Sequence, residues 1–157
     1  MSHSMMHTSR LRQEELRIFE ELILRFDSLS EAQMNVVGVT PKWSAKDLLA
    51  HLAYWERAAA DEIREFEAGR WPAKKRTRSQ IERINREVVS ANRATPRHAL
   101  REELILARTE IAAAMGRAPE ELEERSPLAH IVYSQCVRHR GHHLEQLESW
   151  LARIRKS

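Results

Sequence analysis

Ser126-Pro127-Leu-Ala-His-Ile-Val132-Tyr-Ser-Gln-Cys136-Val-Arg-His139-Arg-Gly-His142-His143-Leu-Glu-Gln-Leu147-Glu-Ser-Trp150-Leu-Ala-Arg-Ile154-Arg155 is the stretch from which the rest of the chain is read. Ser126 followed by Pro127 is a helix cap with proline at the first helical position. Val132, Cys136, His139, His143, Leu147, Trp150 and Ile154 then recur at spacings of three and four, the stripe of a long amphipathic helix. His139 and His143 stand where a helical bundle would place leucine or valine, so both rings should face the other helices. They project within about 40° of each other one turn apart, close enough to share an ion. Polar rings buried there cost a few kcal/mol each unless hydrogen-bond acceptors or a metal satisfy them, and the spacing alone leaves both options open.

The composition fits helices. In 157 residues there are 4 glycines and 5 prolines, too few turn formers for a many-stranded fold. The length suits one domain, over residues 9–157, after a leader 1–8 that reads as disordered; His3 and His7 lie in that leader and are set aside. The formal charge of +3, from 26 basic and 23 acidic residues interspersed along the chain, describes a solvated surface. A single cysteine excludes an internal disulfide framework and favours a reducing compartment, so the expected location is cytoplasmic. No window approaches a membrane span, and no membrane partner is expected.

Working back along the chain, a first helix is expected from Ser9 to Leu29 on the stripe Ile18, Phe19, Leu22, Ile23 and Phe26. After a connector with Gly38, Thr40 and Pro41, Ser44 caps a second helix with Asp47 at N3, and Trp43 and Leu48 form a hydrophobic staple. That helix carries Leu48, Leu52, Trp55, Ala59, Ile63 and Phe66 and ends near Gly69. A basic loop, Arg70 to Ser79, leads to a third helix that breaks at Thr95-Pro96, with Thr95 as cap and Pro96 at N1. The expectation is an all-α four-helix bundle with a broken third helix.

His51 borders the stripe of the second helix, one turn from both Leu48 and Trp55, where a third ligand would sit if the fold brings it to His139 and His143. Three imidazoles with an open position describe a catalytic rather than a structural metal site. The phase of His142, about 60° from His139 on the side away from His143, puts it at a pocket rim, and Trp55 can line the same pocket. Cys136 reads as a small core residue rather than a ligand or nucleophile. Asp47, Tyr54, Glu56, Tyr133 and Glu145 are all candidates for a general base, and spacing singles out none. Lys74, Lys75 and Arg76 lack an aromatic stacking platform, so the basic loop reads as solvated and no nucleic-acid partner is expected. Leu24, Val36, Val37 and Ile105 are surplus to the core stripes and available for a dimer face.

The run Lys42-Trp-Ser-Ala-Lys-Asp-Leu-Leu-Ala-His51-Leu-Ala-Tyr-Trp-Glu56, together with His139-Arg-Gly-His-His143-Leu-Glu-Gln-Leu-Glu-Ser-Trp150, resembles the DinB/YfiT-like superfamily of helical-bundle metalloproteins over nearly the whole chain. The resemblance implies a four-helix bundle with a histidine triad, His51, His139 and His143, holding zinc or nickel. It also implies a small-molecule substrate, with low-molecular-weight thiols as cofactors in relatives that are S-transferases or isomerases, and homodimers in many members. The same residues are similar to the ClbS/DfsB group, in which some members act without an obvious metal. The two functions implied are a metal-dependent thiol S-transferase or hydrolase, and a non-enzymatic or metal-free bundle for small-molecule binding or self-protection.

Overall fold

A computed structural model describes residues 4–70 and 75–156. Its elements are β1 (Met5–His7), α1 (Thr8–Asp27), α2 (Glu31–Met34), α3 (Ala45–Glu67), α4 (Arg78–Ala91), α5 (Arg97–Arg117), β2 (Glu121–Glu123), α6 (Pro127–Ile131), a π-helical stretch (Val132–His139) and α7 (Arg140–Arg155). The all-α bundle is as expected. Its four long members are α1, α3, α5 and the continuous rod from α6 through α7, and α4 is the shorter arm of the broken third helix.

Local chemistry explains most boundaries. The Ser44 hydroxyl accepts from the Asp47 N–H at 3.2 Å and the Asp47 carboxylate accepts from the Ser44 N–H at 3.0 Å, the reciprocal capping that starts α3. Ser30 with Gln33, and Thr77 with Gln80, build the same device at α2 and α4. The first of these makes a helical turn inside what reads as connector. At the α4–α5 break the geometry departs from expectation by one residue: Pro96 occupies the N-cap position, and the Thr95 hydroxyl donates to the Asn92 side chain instead of capping.

Within the segment expected as a leader, the described residues 4–8 are held in place. Met5–His7 pair antiparallel with Glu121–Glu123, the Thr8 N–H donates to the Glu120 carbonyl at 2.9 Å, and the buried Thr8 hydroxyl donates to the Pro119 carbonyl. Leu122 is buried beneath this ribbon and Met6 packs on the core, so apolar contact and backbone pairing together hold the segment.

The last helix also differs from a plain α-helix. Eight residues, Val132–His139, are bonded i→i+5, a wider turn usually found singly and often at functional sites. Through it the rod carries Val132, Cys136 and Arg140 fully inward, with His139 beside them.

The core is continuous, with Leu22, Leu48, Leu52, Leu104, Ile111 and Leu147 wholly buried. Gly38 lies so close to Trp150 that a Cβ would stand 3.0 Å from its indole nitrogen, and its φ of 151° suits glycine. Leu24, Val36 and Val37 are more than half exposed, while Ile105 packs against the core. Trp71 and Lys74, part of the basic loop, lie outside the described residues. No helix among the described residues is long and apolar enough to cross a membrane.

Candidate metal centre

His51 from the second turn of α3, His139 at the end of the π-helical stretch and His143 on the first turn of α7 converge. Their Nε2 atoms form a near-equilateral triangle: 2.9 Å from His51 to His139, 3.1 Å from His51 to His143, and 3.0 Å from His139 to His143. Residues 88 and 92 positions apart in sequence are thus brought ring to ring. Trp43, the staple residue before α3, lies against His51 with ring centroids 4.7 Å apart and closes one side.

This triangle is chemically frustrated when only protons are available. A neutral imidazole nitrogen either carries a hydrogen and donates or carries a lone pair and accepts; it cannot do both. Among three such atoms at least two must be alike, so at least one edge sets donor against donor or acceptor against acceptor. A cation bound by three lone pairs removes the conflict. Two nitrogens each 2.0–2.1 Å from one ion stand about 2.9–3.4 Å apart for angles between square and tetrahedral, which brackets all three edges.

The outer nitrogens fit this arrangement unequally. His143 Nδ1 lies 2.7 Å from Gln146 Oε1; an amide oxygen only accepts, so Nδ1 carries the hydrogen and Nε2 keeps its lone pair inward. His51 Nδ1 and His139 Nδ1 are buried without a hydrogen-bond partner among the described residues. Gln146→Ala should therefore weaken metal affinity about ten- to a hundredfold. Competition with a chelator measures this, and unchanged affinity would remove Gln146 from the centre.

Burial keeps all three rings neutral. It lowers the pKa of His51 to about 2, with the charges of His139 and His143 adding to the effect and the Asn85 side chain opposing it. Burial likewise lowers His139 to about 3 and His143 to about 4, the latter opposed by its bond to Gln146. A base whose folded pKa is depressed binds fewer protons folded than unfolded. Its contribution to stability is complete above the ordinary value of 6.5 and is lost as pH falls from there toward the folded value. Each ring adds up to about 1.4 kcal/mol per pH unit within that window. Metal-free protein should therefore lose stability steeply between about pH 6.5 and pH 4, read as a falling urea midpoint; a flat profile there would show that the rings are not buried neutral.

Beneath the triad lies a group that sequence reading does not reveal. Arg140, Glu56 and Glu15 are each fully buried. The Arg140 guanidinium donates to both carboxylate oxygens of Glu56, to the Glu15 carbonyl at 3.2 Å and to the Glu15 carboxylate at 3.4 Å. Arg108 grips Glu15 with two bonds of 2.7 and 3.0 Å. Two guanidinium and two carboxylate groups, one from each long helix, thus neutralise one another. Gln135 donates to Glu56 at 3.3 Å, and both guanidinium groups lie against the Phe19 ring. Burial, with Glu56 adjacent, raises the Cys136 thiol well above its ordinary value, so this cysteine stays protonated core.

The candidate bases are placed as follows. Asp47 is engaged in capping α3, Glu56 is bound to Arg140, and Tyr54 and Tyr133 are exposed. Glu145 and His142 line a surface groove between α1 and α7. The His142 ring is 5.3 Å from that of His143, beside the triad rather than part of it. Trp55 is half-buried, donates its indole N–H to Asn85 at 2.8 Å and lines a separate cleft toward α6.

The fold and this inward triad define a helical-bundle protein with a candidate mononuclear centre. Residues 16–153 match the family described as the mycothiol maleylpyruvate isomerase N-terminal domain, and the chain belongs to that family, within the DinB/YfiT-like superfamily. Solved structures share the fold at low identity. A crystal structure of an uncharacterised protein from Escherichia coli UTI89 matches with TM-score 0.76 at 14% identity, covering 95% of each chain. The colibactin self-resistance protein ClbS, crystallised in complex with a dsDNA, matches with TM-score 0.76 at 11% identity, over 92% of this chain and 95% of that one. A Streptococcus pneumoniae protein matches with TM-score 0.69 at 16% identity, over 94% and 91%. No curated protein matches the chain.

Proposed function

We propose that the chain is a metal-dependent enzyme in which His51, His139 and His143 hold one divalent cation, zinc or nickel, for thiol S-transfer or hydrolysis of a small-molecule substrate. The observation that carries this reading is the triangle of Nε2 atoms, none more than 3.1 Å from another, which protons alone cannot satisfy. A divalent cation bound there would act as a Lewis acid, lowering the pKa of a thiol or water brought to its open position.

The chain's own residues prepare that chemistry. Burial keeps the imidazoles unprotonated at neutral pH, so their lone pairs are available without competition from protons. Gln146 fixes the tautomer of His143, and Trp43 packs against the His51 ring. Arg140, next in sequence to His139, ties the middle of the rod to α3 and α1 and so limits how far the His139 ring can move. A low-molecular-weight thiol as co-substrate follows from the family's own description, which names mycothiol.

Metal analysis of purified protein tests the proposal. About one zinc or nickel per chain is expected, lost on His143→Ala, and the loaded protein should hold an added small thiol as thiolate at neutral pH. A chain that takes up no ion at micromolar metal, with the triad intact, would overturn it.

The match to ClbS favours a second reading, a metal-free bundle that binds small molecules for self-protection, with the histidines as polar wall. DNA binding, the partner in that structure's description, belongs to the same reading. Full ligand binding by chelator-treated protein would support it.

A further inference from the structure

A cleft of about 200 Å³ opens between α3 and the rod, one turn along from the triad on both walls: Trp55 follows His51 by four residues and Gln135 precedes His139 by four. Ala58 and Ala59 make its floor, small enough to leave space beside the α3 backbone. Its polar groups are sorted by depth. Inside lie the half-buried Glu62 carboxylate, the Gln135 amide oxygen, whose partner nitrogen donates to Glu56, and the Ser134 hydroxyl, which can accept or donate. At the exposed rim lie donors, His130 and Arg76, the latter held over the Trp55 ring at 5.4 Å.

Glu62 makes no hydrogen bond or ion pair with any described residue. Burial raises its pKa, partly offset by the charges of Arg76 and His130. A half-buried carboxylate with no hydrogen-bond partner among the described residues is a place for a donor, and an ammonium group offers three. The rim offers the complementary charge to an anion a few ångströms further out.

We propose that this cleft is a subsite for a small zwitterion, with its ammonium between Glu62, Ser134 and Gln135 and its carboxylate against Arg76 and His130. The inference rests on the reading of the triad as the reacting centre only for taking this ligand to be a substrate or co-substrate, which is then of the amino-acid type.

Three small aliphatic probes separate the contributions: L-norvaline carries both charges, n-butylamine the ammonium alone and butyrate the carboxylate alone. Binding to the full chain is followed by NMR at the Trp55 indole N–H, identified by its loss in Trp55→Phe. Norvaline should bind tightest and butyrate weakest. Glu62→Gln should weaken both ammonium-bearing probes about ten- to a hundredfold. Arg76→Met, a change at an exposed position that leaves the core intact, should weaken norvaline toward the affinity of butylamine and leave butylamine unchanged. Butyrate binding as well as norvaline, no shift with any probe, or wild-type binding by both variants would each overturn the subsite.

Titrations run on both chelator-treated and zinc-loaded protein keep the two readings apart. Norvaline binding without metal uptake sustains the subsite while the triad reading fails. Metal uptake without norvaline binding has the opposite meaning.

Discussion

Arg140→Met is expected to destabilise the fold by about 3–5 kcal/mol, the usual cost of leaving a buried charge unpaired. Glu56 would retain only Gln135 and Cys136 as partners, neither of them charged at neutral pH, in a position with no exposure to solvent. Glu15 would keep Arg108 and lose its second guanidinium. Adding Glu56→Gln to Arg140→Met should restore much of the loss, because the penalty comes from the orphaned carboxylate more than from the missing attraction. Urea midpoints of the two single variants and the double variant, all metal-free, give the coupling directly. A single-variant loss below about 1 kcal/mol would mean that water or a rearranged partner reaches Glu56.

The second large effect concerns the triad. His51→Leu should lower zinc or nickel affinity about a hundredfold or more, since three-ligand sites draw several kcal/mol from each ligand. The same change should leave metal-free protein within about 1 kcal/mol of wild type, or make it more stable. Leucine of similar volume removes the unpartnered Nδ1 and one corner of the frustrated triangle. Affinity and stability therefore move independently, an outcome that a purely structural histidine would not give. Thermal melts with and without zinc separate the two: wild type should gain melting temperature on adding metal, and His51→Leu should gain almost none.

These two clusters were unequally visible in the amino-acid sequence. The triad was legible because His139 and His143 break an apolar stripe at core positions and share a face whatever the tertiary arrangement. His51 could be ranked by its own stripe and by the family resemblance, yet only the packed fold brings it to the other two. Glu15, Glu56 and Arg140 break stripes in the same way: Glu15 lies between Leu11 and Ile18, Glu56 between Leu52 and Ala59, and Arg140 between Cys136 and Leu144. A lone charge on a stripe reads as a solvated edge until its partner is known, and these partners are 84 and 125 residues apart. A charged residue flanked on both sides by core positions is the signal that was available.

Helix starts at Ser44 and Ser126 were legible because a cap is a local contract between side chain and backbone. The π-helical stretch was not, since Val132–His139 carries a residue pattern that an ordinary α-helix accepts equally well. Nor was the β1–β2 ribbon. Three-residue strands have too little pattern to detect, and the pairing that orders Met5–His7 comes from Glu121–Glu123 at the far end of the chain. Gln146 carries no sequence signal for a further reason: glutamine on a helix surface is ordinary, and its role depends on the rotamer that turns its oxygen to His143.

X-ray absorption at the metal edge of zinc- or nickel-loaded protein tests the centre most directly. The account predicts one ion per chain with three imidazole nitrogens at about 2.0–2.1 Å and at least one exchangeable light-atom ligand. An ion whose coordination survives unchanged in His51→Leu, or a chain that binds none, would contradict it.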